Sequence, residues 1–141
     1  MSEKRLKVLA VAEAANPEWA SVPLVGWSHA AALSNVADVH LVTQIRNKES
    51  IERAGWTADR VTFIDSESVA APAYKLAKVL RGGTAYGWTT RVALYAMTYP
   101  YFERLTWKTF GDRIKRHEFD VVHRITPVSP TVPSLLATRC S

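Results

Sequence analysis

Leu6-Lys7-Val8-Leu9-Ala10-Val11-Ala12 is the stretch on which the fold turns. Six of its seven residues are apolar and they do not alternate. That is the pattern of a strand covered on both faces, and so of a parallel sheet. Asn16-Pro17 and Pro23 punctuate the next stretch and predict a loop over residues 13–25. Gly26-Trp27-Ser28 then leads into a small-residue helix over residues 29–36, with Ser28 as its expected N-cap. Residues 39–43 read as a second strand. Residues 48–54 read as a short helix closed by Gly55, and residues 60–64 as a third strand. Pro72 suits the first turn of a helix reaching Arg81, where Gly82-Gly83 stops it.

A long helical stretch over residues 89–116 carries Pro100, where a break or kink is expected. Phe119-Asp120-Val121-Val122-His123 supplies a fourth strand over residues 120–123, and Ser134 is placed to cap a final helix. Strands alternating with helices predict an α/β fold with a Rossmann-like, doubly wound parallel sheet. At 141 residues the chain holds one domain, residues 1–141. The fourth strand is expected to pair on one side only. The last predicted helix is only a stub, so the domain reads as truncated, with lower stability than an intact one.

The composition narrows the class. Hydrophobic residues make up 48% of the chain and charged residues 22%, which favours a folded globular protein over disorder. The apolar runs are too short to span a bilayer, no signal-peptide core precedes the first strand, and the single Cys140 leaves no intramolecular disulfide. A cytoplasmic protein is expected. The net charge of +5 is unevenly placed. Between Lys75 and Arg116 nine Lys or Arg residues stand against Glu103 and Asp112, and the rest of the chain is slightly acidic. Such a region reads as solvated helix faces or as a surface for anionic lipid or a phosphorylated ligand. No motif points to nucleic acid. Tyr86, Trp88, Tyr95, Tyr99, Tyr101, Phe102, Trp107 and Phe110 interleave with these cations at helical spacing, so packing on the sheet is expected, with an interfacial helix as the alternative.

Ligands of open parallel sheets bind beyond the carboxyl ends of the strands. Two places qualify. Gly26, Trp27 and Ser28 would present free amides at a helix start, suited to a phosphate. A single glycine after a long loop is not the dinucleotide fingerprint, and no Walker-type loop exists, so NAD and ATP are disfavoured. His123, Arg124 and Thr126 lie where the fourth strand meets the loop holding Pro127, Pro130 and Pro133. His123 could hydrogen-bond a sugar or phosphate or move a proton. Arg124 reads as a phosphate clamp or as a surface arginine. His29, His40 and His117 show no ligand spacing with Cys140 or with acidic residues, and no metal site is expected.

Together Lys7-Val8-Leu9-Ala10-Val11, Gly26-Trp27-Ser28-His29-Ala30, Asp38-Val39-His40-Leu41-Val42-Thr43 and Phe119-Asp120-Val121-Val122-His123 resemble the N-terminal half of a family 4, GT-B-type retaining glycosyltransferase. The resemblance implies the acceptor-side domain of a two-domain enzyme that takes a nucleotide sugar as donor substrate and needs no cofactor or metal. The acceptor would be a cell-wall, polysaccharide or lipid-linked glycan, and the basic region would dock an anionic membrane surface. It further implies that Gly26, Trp27 and Ser28 lie near the donor diphosphate, and that His123 and Thr126 orient the sugar or acceptor. Ile125 stands where the family pattern has a second histidine, and no Glu-x7-Glu pair occurs. The chain alone is therefore expected to be inactive. From the residues alone, a flavodoxin-like binding or regulatory module and a peripheral membrane-binding module stay open.

Overall fold

A computed structural model describes residues 4–80, 88–125, 127 and 131–140. Its centre is a four-stranded, all-parallel sheet in the order β3-β2-β1-β4, formed by β1 (Lys7–Val11), β2 (Asp38–Gln44), β3 (Val61–Ile64) and β4 (Val121–Arg124). Both α/β class and strand order are compatible with a Rossmann-like sheet. β1 is central, and its residues from Val8 to Val11 are buried, as the unbroken apolar run predicted. Among the described residues β4 pairs with β1 alone, with His123 beside Ala10 and Arg124 beside Val11.

Two helical layers cover the sheet. α1 (Val22–Leu33) and α2 (Lys48–Arg53) pack on the face shown by Val8, Ala10 and Leu41. α4 (Trp88–Lys115) and α5 (Leu135–Cys140) pack on the face shown by Leu9, Val11 and Val42. Successive residues of a strand point to opposite faces, so β1 feeds both cores in turn. Tyr95, Tyr99, Phe102 and Phe110 are buried in the second core, so the aromatic stretch does pack on the sheet. Tyr86 and Gly82-Gly83 lie outside the described residues.

Several element bounds shift by a residue from the sequence reading, and the larger differences are at α1, α3 and Pro100. α1 starts at Val22, with Pro23 in its first turn, so Ser28 is an interior residue and not an N-cap. Pro23 is a helix-start residue here because its fixed φ suits the first turn and its missing N–H costs nothing there. α3 (Glu67–Leu80) starts five residues before Pro72, which sits inside the helix. Asp65 Oδ1 accepts from the N–H groups of Glu67 at 3.1 Å and Ser68 at 3.4 Å, and this cap sets the start. α4 runs as one helix through Pro100. β4 ends at Arg124, one residue later than read. Ser134 does cap α5, accepting from Ala137 N at 3.2 Å.

Candidate functional site

At the carboxyl ends of β1, β2 and β3 the chain leaves each strand on polar residues. Glu13 lies just beyond β1, Gln44 ends β2 with Arg46 close behind, and Ser66 and Glu67 come after β3. Together with Ala71, Lys75, Tyr95, Thr98, Tyr99 and Phe102 from α3 and α4 they line a cavity of about 420 Å³. Small-ligand sites fall in roughly the 300–1,000 Å³ range. One wall is polar, the other aromatic.

The polar wall is built rigidly. The Glu13 carbonyl accepts from Thr43 Oγ1 and Asn47 Nδ2, each at 3.2 Å, and Asn47 is held in turn by Asn16. These buried amides fix the turn after β1. The Glu13 side chain is only 7% exposed. Its Oε1 meets Arg46 Nη2 at 2.6 Å, whereas its buried Oε2 has no hydrogen-bond partner among the described residues. Arg46 also reaches Glu67 at 3.1 Å. Burial disfavours the Arg46 charge, but the two carboxylates outweigh it and hold the guanidinium above its ordinary value. Gln44, buried, donates to Ser66 Oγ and accepts from the N–H groups of Ile45 and Ser66. Glu13, Glu67, Arg46 and Lys75 leave the lining formally neutral.

The residues read from sequence occupy other places. Gly26 is buried in the middle of α1, where a Cβ would lie 2.1 Å from the Ala14 carbonyl oxygen. It is a close-approach glycine that lets α1 lie on the chain leaving β1. Trp27 packs on the first core with its ring 5.0 Å from that of Trp56. Ser28 is exposed. The amides of these three residues lie inside the helix and are spent on it, so the free helix start expected for a phosphate is not there.

His123 and Arg124 separate because adjacent strand residues face opposite sides. His123 turns toward α1, where its Nε2 lies 3.1 Å from His29 Nε2. Burial and the neighbouring imidazole hold the His123 pKa below its ordinary value. Arg124 turns toward α4 and is held there rather than lying free on the surface. It donates to Tyr99 Oη at 3.0 Å and to the Val132 carbonyl at 2.8 Å, and lies 3.3 Å from Glu103. Glu103 is fully buried and accepts from the N–H groups of Leu135 and Leu136 at the start of α5. Burial and the Glu103 charge push the Tyr99 hydroxyl well above its ordinary pKa. Arg124 thus ties β4, α4 and the approach to α5 together. Thr126 lies outside the described residues.

Glu13, Arg46 and Glu67 escape a sequence reading confined to the helix start at Gly26–Ser28 and the end of β4. The same carboxyl-end rule applied to β1, β2 and β3 finds all three. Among the described residues no three His, Cys, Asp or Glu side chains gather as a metal cluster, and no helix is long and apolar enough to cross a membrane. No protein-family model, no curated protein and no solved structure matches the chain.

Proposed function

We propose that this chain is the acceptor-side domain of a GT-B-type retaining glycosyltransferase, and that the cavity beyond β1, β2 and β3 holds the sugar-bearing part of the acceptor. The observation that carries the reading is the make-up of the lining, where Glu13, Gln44, Arg46 and Ser66 stand with Tyr95, Tyr99 and Phe102 around one cavity of about 420 Å³. Charge balance in the lining suits a neutral polyol better than a phosphate. The aromatic wall of Tyr95, Tyr99 and Phe102 suits the apolar face of a sugar ring. The resemblance of the strand and helix motifs supplies the reaction class. In this reading a separate donor domain holds the nucleotide sugar, the acceptor is a cell-wall, polysaccharide or lipid-linked glycan, and this chain alone does not turn the donor over.

Amide chemical-shift titration of the purified chain with neutral mono- and disaccharides, and with a nucleoside diphosphate, tests the assignment. Saccharide-induced shifts at Glu13, Gln44 and Ser66, lost in Glu13→Ala, are the expected result. Shifts with the nucleotide alone, or none with any saccharide, would sink it.

A second observation favours a membrane-facing role for the same domain. Leu76, Val79 and Leu80 on α3 and Met97 on α4 are exposed, and Lys75 and Lys78 flank the α3 residues. Apolar residues ringed by lysines suit the headgroup layer of an anionic membrane. That surface would bring a lipid-linked acceptor beside the cavity.

A further inference from the structure

We propose that His29 and His123 form a two-imidazole site for a borderline divalent transition ion such as zinc or nickel. The site is independent of the cavity and of the reaction class proposed for it.

The chain brings together two histidines separated by 94 positions, one on α1 and one on β4. Their Nε2 atoms lie 3.1 Å apart, and neither ring has another hydrogen-bond partner among the described residues. Two nitrogens each about 2.05 Å from one ion, at that spacing, subtend an angle of about 98° at the metal. This lies between the square and tetrahedral values that imidazole-bound ions adopt.

The ring positions point the same way. The two centroids are 5.0 Å apart. Imidazoles pointing at a shared ion would place their centroids about 4.8 Å apart, whereas a collinear N–H···N bond of the same length would place them about 5.4 Å apart. The observed separation lies nearer the value for a shared ion than that for a collinear hydrogen bond. Both residues stand on regular elements, so little ordering is needed on binding.

Since no third His, Cys, Asp or Glu joins them among the described residues, the ion keeps open positions for water or an added ligand. Hard ions such as magnesium are excluded by the nitrogen donors.

The test is isothermal titration of the purified chain in a Cys140→Ser background with zinc, nickel and magnesium chlorides. One equivalent of zinc or nickel should bind with Kd on the order of 10 µM, and magnesium should not bind. His29→Ala and His123→Ala should each weaken binding at least about tenfold, with His40→Gln unchanged. His29→Gln and His123→Gln, which keep the side-chain bulk, serve if an alanine variant fails to fold by circular dichroism. No saturation by about 1 mM nickel, or equal binding by the His29 and His123 variants, overturns the proposal.

Discussion

Arg124 and Glu103 form an ion pair at 3.3 Å between β4 and α4, with the carboxylate wholly buried and the guanidinium 21% exposed. Glu103 also receives the first N–H groups of α5, so one carboxylate serves an arginine and a helix start together. Removing either partner strands a buried charge. Glu103→Ala and Arg124→Ala are each expected to destabilise the fold by about 3 kcal/mol, measured by urea unfolding. Independent, additive losses in the double variant would show that the two do not act as one unit.

Gly26→Ala tests the contact between α1 and the chain leaving β1. Alanine inside a helix gains up to about 1 kcal/mol over glycine. Here its Cβ would meet the Ala14 carbonyl oxygen at 2.1 Å, a backbone atom that cannot swing away. The clash should win, with a net loss of about 2 kcal/mol and a lower Tm. A stabilised variant would mean that α1 can lift from the sheet at little cost.

Mild acidification should destabilise the protein through its histidines. Burial holds His40 below its ordinary pKa, with Arg113 pushing the same way and the Asp59 backbone and charge opposing. The Asp59 carbonyl can only accept, so Nδ1 carries the proton and Nε2 accepts from Thr62 Oγ1 at 2.7 Å. A second proton on Nε2 makes it a donor, so the Thr62 hydroxyl must turn and accept, and the charge is left half-buried. Both His40 and His123 therefore bind protons more readily when unfolded. Their stabilising contribution is complete above about pH 6.5 and is lost as the pH falls through their lowered folded values. Tm should drop between about pH 7 and pH 5, and His40→Gln should shrink the drop. A flat profile over that range would contradict the assignment.

Membrane docking makes a separate prediction. Lys75 and Lys78 each contribute roughly 1 kcal/mol to binding an anionic surface. Their joint replacement by alanine should cut co-sedimentation with phosphatidylserine vesicles by about thirtyfold in partition coefficient. Thermal stability should hardly change, because both side chains are exposed. Equal sedimentation with neutral and anionic vesicles would rule this face out as an electrostatic dock.

The layered α/β architecture was legible because it rests on short-range patterns. The buried run at Val8–Val11 and the apolar β2 and β4 segments announce a parallel sheet without help from tertiary contacts. The start of α1 was not legible while Pro23 counted as a loop residue, since the same proline that breaks a helix interior opens a first turn. The site was harder still. Nothing local couples Arg124 to Glu103, or His29 to His123; their meeting depends on which face of β4 each residue takes and on which helix covers that face. Glu13 was within reach of sequence reasoning as the first charged residue beyond β1, but its lone oxygen exists only once Arg46 has engaged the other.

α4 is 28 residues long, about 42 Å of continuous helix, and Pro100 removes one rung from its hydrogen-bond ladder. The gap falls between Tyr95, Thr98 and Tyr99 on one side and Phe102 and Glu103 on the other, within the segment that walls the cavity. Tyr95 and Tyr99 before the gap and Phe102 and Phe110 after it are buried in one core, so packing on the sheet holds the two halves in line where the ladder lacks a bond.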